Sequence, residues 1–295
     1  MNRILVIRGG AIGDFVLTLP AIKLLRENFP QSHIEILGYK HIVALAEKRF
    51  YADATRSIEY GPLASFFARN AELPNELSNY FAGFDLVLSY LFDPDEIFAT
   101  NLRRAGVEEL IVGPAKLREM EHAARQLARP LEQLGLTLEK LYAEIFPTSE
   151  DHAAAKHLPS PYVALHPGSG SAKKNWPLEK WIELGRRIAG HLVVVAGEAD
   201  DLSQLREAWN DRPITYLKNQ PLPIVAAALS HASHFVGHDS GISHIAAAVG
   251  TKCTLLFGPT DPAIWAPQNE GVRVVRLEAN VEEICYELMR IGIKT

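Results

Sequence analysis

Residues 237–262 read G-H-D-S-G-I-S-H-I-A-A-A-V-G-T-K-C-T-L-L-F-G-P-T-D-P. An apolar strand, His234-Phe235-Val236, leads into this stretch, and inside it lies a short helical pattern with Ile242, Ile245 and Val249 on one face, closed by Gly250. Ser240 stands where an N-cap belongs. Ser243, not Glu or Gln, follows three residues later, so no capping box is expected and the first backbone N–H groups lack that partner. Gly241 has no Cβ to hold a ligand off the backbone, and a helix N-terminus with open N–H groups is an anion site. Asp239-Ser240-Gly241 therefore predicts a phosphate cradle. A second strand, Lys252 to Phe257, ends in G-P-T-D-P, a turn that can open another helix with Pro near its first position. Two helix entrances at the carboxyl ends of parallel strands face one crevice, where open α/β sheets bind ligands. A lone D-S-G is ordinary βα-turn chemistry; two such turns in succession favour a ligand.

Working outward, the same grammar recurs. Tyr162 to Leu165 is a strand followed by H-P-G-S-G-S-A-K-K-N-W-P (166–177). Gly168 and Gly170 let the loop wrap closely, Ser169 and Ser171 offer hydroxyls, and Lys173 and Lys174 bring positive charge, a combination suited to a diphosphate. Pro177 opens a helix with Trp181, Leu184 and Ile188 on one face, and His191 to Ala196 is the next buried strand. It ends at Gly197-Glu198, where an acid can accept bonds from ribose hydroxyls; the plainer reading is a solvated loop acid.

At the N-terminus, the continuous apolar run Ile4 to Ile7 feeds R-G-G-A-I-G-D and a helical pattern from Phe15 to Phe29. A dinucleotide fingerprint would need Gly at position 8, which is Arg8, and the next strand (His33 to Leu37) ends in Gly38-Tyr39 without an acid, so NAD binding is not expected. What remains is a close turn that sets Asp14 at a helix start, where the macrodipole favours negative charge. Asp14 is a candidate base, or simply a helix cap. Strand-like runs at Thr55 to Glu59, Phe84 to Ser89 and Glu109 to Val112 alternate with helical stretches near 63–80, 95–105 and 117–135, an α/β pattern. Phe92-Asp93-Pro94-Asp95 has the D-x-D spacing that can hold a divalent cation, but Asp before Pro ahead of a helix reads as a cap, and no metal is expected. The polar, Pro-containing stretch from Phe146 to Pro161 marks the boundary between domains 1–150 and 151–295, with a last helix near 281–291 that can pack back on the first domain.

Length and composition agree with two soluble α/β domains. The chain has 295 residues, 47% of them hydrophobic, enough for two cores. A net charge of −5 excludes broad nucleic-acid affinity. Its two cysteines, Cys253 and Cys285, lack metal-ligand spacing, and Cys253 reads as core. No signal peptide and no apolar run of about 18 residues is present, which points to the cytoplasm.

Taken together, the I-R-G-G-A-I-G-D start, H-P-G-S-G-S-A-K-K-N-W-P and G-H-D-S-G-I-S-H…L-F-G-P-T-D-P resemble glycosyltransferase family 9, the ADP-heptose:lipopolysaccharide heptosyltransferases and their relatives. The resemblance spans nearly the whole chain. It implies a GT-B fold, two Rossmann-like domains facing across a cleft, the first binding acceptor and the second the nucleotide sugar. It also implies inverting, metal-independent transfer without a cofactor. The partners implied are a nucleoside-diphosphate sugar, by family default ADP-heptose, and a lipid-linked glycan acceptor at the cytoplasmic face of the inner membrane.

Residue by residue, Asp14 matches the general base and Lys174 the lysine on the donor phosphates. Ser169, with Gly170 beside it, matches a phosphate contact; Asp239, Ser240 and Gly241 match the D-[ST]-G; Glu198, or Asp200 in its place, matches the ribose acid. His244 lies one turn into the helix on the face of Ser240 and can donate to the same anion, or merely solvate that helix. The chain is shorter than is usual in the family, in the first domain where acceptor loops belong. Arg103, Arg104, Lys116 and Arg118 are candidate contacts to acidic groups of the acceptor, and Phe66-Phe67 and Tyr80-Phe81 candidate membrane contacts. Solvated charges and core aromatics are the plainer readings. Base contacts are expected near Leu217 to Ile224. Two other readings keep the fold: a nucleotide-sugar epimerase or hydrolase, and a non-catalytic sugar-nucleotide-binding protein.

Overall fold

The structure, a computed structural model, describes residues 1–117, 120–198 and 200–295. It forms two compact units, Met1–Leu141 and Tyr142–Thr295. The boundary falls before the expected 150/151. Residues 142–150 belong to the second unit because Ile145 N–H donates to Ala248 O (2.9 Å) and Asn269 Nδ2 donates to Ala143 O (2.8 Å). The stretch read as a linker also holds a helix, because Thr148 and Asp151 close a capping box at its start.

The first unit runs β1 (Arg3–Arg8), α1 (Ile12–Asn28), β2 (His33–Gly38), α2 (Lys40–Val43), β3 (Ala54–Ser57), α3 (Asn75–Ala82), β4 (Leu86–Ser89), α4 (Ile97–Arg104), β5 (Leu110–Val112) and α5 (Ala123–Ala128). All pairings are parallel, in the order β3-β2-β1-β4-β5. The central strand β1 is apolar and buried from Ile4 to Ile7, as a strand covered on both faces requires. On one face Leu5, Ile7 and Val87 pack with Phe66, Phe81 and Phe98. The expected long helices at 63–80 and 117–135 are broken. The first becomes a 3₁₀ turn, Gly61–Phe67, and α3, with Asn70 at φ 55° and Pro74 at the helix start between them. In the second, Pro130 opens the 3₁₀ turn Arg129–Leu134 after α5.

The second unit continues α6 (Ser149–Ala155), β6 (Tyr162–His166), α7 (Leu178–Arg187), β7 (His191–Ala196), α8 (Ser203–Ala208), β8 (Ile214–Lys218), α9 (Leu222–Ser230), β9 (His234–His238), α10 (Gly241–Ala248), β10 (Cys253–Phe257), α11 (Pro262–Trp265), β11 (Val272–Arg276) and α12 (Val281–Arg290). Its parallel sheet has the order β11-β10-β9-β6-β7-β8. Strand order reverses between β6 and β9, which makes their carboxyl ends the switch point of the sheet. The edge strand β11 was not anticipated, since V-R-V-V-R is half exposed and too short to show a period. The last helix, α12, lies in this unit's own core: Val281, Ile284, Cys285 and Leu288 pack in one cluster with Trp181 and Leu184. No helix among the described residues is long and apolar enough to cross a membrane.

Candidate functional site

Three loops meet at the switch point of the second unit. The loop after β6 carries Lys174, whose ammonium lies 2.5 Å from Asp239 Oδ2. Asp239 follows β9 and is 7% exposed. The same carboxylate oxygen accepts from Thr260 Oγ1 at 2.5 Å, on the G-P-T-D-P turn after β10. One acid thus ties the two helix entrances and the lysine loop together. A buried carboxylate needs such partners, since an unpaired charge costs several kcal/mol. The Lys174 side chain is 27% exposed, so the pair is open to solvent on the lysine's side.

Next to this cluster, α10 begins. Ser240 is its N-cap, and its Oγ accepts from Ser243 N–H at 3.4 Å. Ser240 is thus the N-cap that the sequence placed there, though its bond is long by hydrogen-bond standards. Helix geometry still gives the N–H groups of Gly241 and Ile242 no acceptor within the helix. Burial runs from Ser243 to Ala248, while Ile242 and Val249 are only half-buried, so the helix is enclosed rather than simply amphipathic. His244 is 5% exposed and belongs to that buried surface, which excludes the solvated reading. Gly250, at φ 82°, ends the helix as expected.

The glycines of the lysine loop differ in kind. A Cβ on Gly168 would stand 2.3 Å from Asp200 Oδ1, whereas one on Gly170 would meet nothing within 4 Å. Gly168 is thus demanded by the protein's own packing; Gly170 leaves space. Ser169 Oγ stands 2.8 Å from Ser171 O and 2.6 Å from Asn175 Oδ1, so its hydroxyl braces the loop. The acid brought against this loop is Asp200, not Glu198: Asp200 Oδ2 accepts from Gly197 N–H at 2.7 Å while Glu198 is exposed. Asp200 and Asp201 also line a cavity of about 260 Å³ with Gly168, Asn175, Trp176 and Trp181. Behind the loop, burial lowers the imidazoles of His166 and, to about 4, His238, so both are neutral at pH 7.

In the first unit, Asp14 sits at the first turn of α1. Its Oδ2 accepts from Ala11 N–H at 3.0 Å and its Oδ1 lies 3.6 Å from Arg8 Nη2. Gly10, at φ 95°, makes the turn possible, since a Cβ there would stand 2.9 Å from Asp14 Oδ2. Arg8 is 8% exposed and is held by Thr18 Oγ1 (3.0 Å) and Asp14 O (3.3 Å). The residue that breaks the dinucleotide fingerprint is thus the partner of the candidate base. Neither Arg8 nor Thr260 was singled out from sequence. The available signals were an Arg at the end of a buried strand and a Thr in the second helix entrance.

The acceptor candidates do not gather. Helix α4 returns from the carboxyl end of β4 to the amino end of β5, so Arg103 and Arg104 lie at the end of the sheet opposite to Asp14. Arg104 is engaged by Asn101 Oδ1 (2.7 Å) and Ala71 O (3.2 Å). Lys116 stands at the carboxyl end, with its ammonium 4.7 Å from the centroid of the exposed Phe92 ring. Arg118 lies outside the described residues. Phe66 and Phe81 are wholly buried and Tyr80 bonds Glu35, so of the aromatic candidates Phe67 alone is broadly exposed. Asp93 accepts from Ala99 N–H at 2.8 Å, holding the start of α4, and Asp95 lies 3.4 Å from Arg69.

Comparison with known proteins identifies the family of the chain. The family model for glycosyltransferase family 9 (heptosyltransferase) matches residues 114–289, more than half of the chain. Lipopolysaccharide heptosyltransferase 3 of Escherichia coli K12 is 25% identical over 287 residues, covering 88% of this chain and 83% of that protein. Among solved structures, a family 9 glycosyl transferase from Veillonella parvula superposes with a TM-score of 0.81 at 19% identity, covering 98% and 97% of the two chains. The E. coli heptosyltransferase WaaC with ADP gives 0.75 at 16% identity, covering 98% and 100%. These structures share the two-unit parallel-sheet fold. The chain belongs to glycosyltransferase family 9, the heptosyltransferase family, and is a glycosyltransferase.

Proposed function

We propose that the protein transfers a heptose from ADP-heptose to a lipopolysaccharide-core acceptor, by a single inverting displacement that needs no metal. The observation that carries this is the meeting of Lys174, Asp239 and the start of α10 at the switch point of the second unit. A cation and open N–H groups on one spot suit a diphosphate. The donor base and sugar follow the relatives: the E. coli protein is a lipopolysaccharide heptosyltransferase, and the WaaC structure contains ADP.

In the proposed reaction the acceptor hydroxyl oxygen attacks the anomeric carbon while Asp14 takes its proton. The bond from that carbon to the diphosphate oxygen breaks, and negative charge grows on the leaving group. Lys174 and the N–H groups of Gly241 and Ile242 stabilise that charge, the role a divalent cation fills elsewhere. Each preorganised donor of this kind is worth about 3–4 kcal/mol of barrier. One attack on one face inverts the anomeric configuration. Asp200, set against the phosphate loop, supplies the acid for the ribose hydroxyls in place of Glu198.

The test is release of ADP from ADP-heptose with and without a heptose-deficient lipopolysaccharide core, with the anomeric configuration of the product read by NMR. Acceptor-dependent release with inverted product supports the proposal. Donor consumed without acceptor would instead indicate an epimerase or hydrolase, and binding without turnover a non-catalytic protein.

A further inference from the structure

His238, the last residue of β9, has no part in the reaction above, yet it is wholly buried behind the lysine loop. The backbone N–H of Trp176 donates to its Nε2 at 2.7 Å. A backbone N–H can only donate, so Nε2 is the unprotonated nitrogen and the ring proton of the neutral imidazole is on Nδ1. Nδ1 faces Gly168 O at 3.4 Å, a longer and weaker contact. Residues 168 and 176 are the two ends of the loop that carries Ser169 and Lys174. Trp181 stands edge-on to the imidazole, with ring centroids 5.2 Å apart, and fixes its plane. The following residue, Asp239, grips the Lys174 ammonium. Two consecutive residues of β9 and its loop therefore hold the lysine loop at both ends and at its lysine.

We propose that His238 is a positioning residue of the donor site: a neutral, Nδ1-protonated imidazole that clasps both ends of the 168–176 loop and so fixes where Lys174 stands. The inference rests on the reading of that loop as the donor-phosphate loop. It accounts for a polar ring in a place where packing alone would accept an apolar one. Burial keeps this ring neutral at physiological pH, and a protonated ring would have no lone pair left for Trp176 N–H. Removing the acceptor leaves that N–H unpaired in a buried place, and the loop shifts to satisfy it.

The experiment compares wild type, His238→Phe, His238→Gln and Lys174→Ala by calorimetric ADP titration and donor kinetics. Phe keeps the ring packing on Trp181 and removes both bonds; Gln puts an acceptor where Nε2 stood. The expected result is ADP affinity weakened about tenfold or more in His238→Phe, with kcat also lowered, and most of both recovered in His238→Gln. A merely structural role would lower the fraction of active protein and leave the dissociation constant of the folded molecules unchanged. If His238→Phe binds ADP like wild type while Lys174→Ala does not, the clasp is refuted and the donor loop stands. If Lys174→Ala also binds like wild type, the reading of the loop fails and the clasp with it. Should His238→Phe not fold, ¹⁵N NMR of the wild-type imidazole decides: protonated Nδ1 with bare Nε2 supports the clasp, and protonated Nε2 overturns it.

Discussion

Replacing Asp14 by Asn separates the proposed chemical role from the structural one. Asn keeps an oxygen that can accept from Ala11 N–H, now 3.0 Å from Oδ2, so the entry into α1 is retained. The charge is lost, and with it the 3.6 Å ion pair to Arg8. Arg8 keeps its bonds to Thr18 Oγ1 and Asp14 O, and Asp14 itself is 36% exposed, so solvent already screens the pair. The stability cost lies between that of a surface pair and a buried one, about 1–2 kcal/mol, or roughly 3–8 °C for a unit of this size. A general base contributes about 10²–10⁴ in rate, equivalent to roughly 3–5 kcal/mol of barrier. Asp14→Asn should therefore lower kcat by at least about a hundredfold while the dissociation constant for ADP, which the proposed function assigns to the other unit, stays within about twofold. Steady-state ADP release and calorimetry measure the two quantities on one preparation. A rate loss below about tenfold, or an equal loss of ADP affinity, would refute the role given to Asp14.

Further expectations follow from single contacts. Lys174→Ala removes the ammonium and leaves Asp239 with Thr260 as its remaining side-chain partner, so kcat should fall about 10²–10³-fold and ADP binding weaken, read in the same assays. Arg104→Ala should leave the kinetics for both substrates unchanged and lower the thermal midpoint of the first unit by a few degrees, because its bonds go to Asn101 and Ala71 and not to the Asp14 end of the sheet. In α7, a Cβ on Gly185 would stand 2.2 Å from the buried Trp209 ring, whose Nε1 is tied to Ile182 O. Gly185→Ala should destabilise by about 1–3 kcal/mol in denaturant titration, despite the roughly 1 kcal/mol by which Ala favours a helix. Burial lowers His234 and His238 to about 4, so the unfolded chain binds more protons below pH 6.5 and stability is lost as pH falls from about 6.5 to 4. Each of these two contributes on the order of 3 kcal/mol over that window, and His234→Phe should make the acid slope of the thermal midpoint shallower without abolishing it, because His166 and His238 keep their share.

What the sequence disclosed, and what it withheld, divides along a physical line. Apolar runs such as Ile4–Ile7 and His191–Ala196, each followed by a turn and a helical period, gave both parallel sheets, because burial on two faces leaves a pattern in the chain itself. The D-S-G turn and the lysine loop were legible for the same reason: helix starts and glycine loops are local. The contacts that knit them together were not. Thr260 reaches Asp239 and His238 reaches Trp176 only because β10, β9 and β6 lie side by side in a particular register, which no local signal encodes. Arg103 and Arg104 looked like acceptor contacts by charge alone, and spacing could not tell which end of the sheet their helix would place them at. The sequence offered both Glu198 and Asp200 as the ribose acid, and it could not show that Asp200 is the one that lies against Gly168, where the missing Cβ leaves room.

The central claim is that the switch point of the second unit holds a nucleoside diphosphate through Lys174 and the start of α10. Calorimetric titration of ADP, GDP and UDP into the wild-type protein, first with chelator and then with magnesium, tests it directly. The account predicts that ADP binds most tightly, that magnesium leaves its affinity unchanged, and that Lys174→Ala weakens it. Absence of ADP binding, binding that requires magnesium, or full affinity in Lys174→Ala would contradict it.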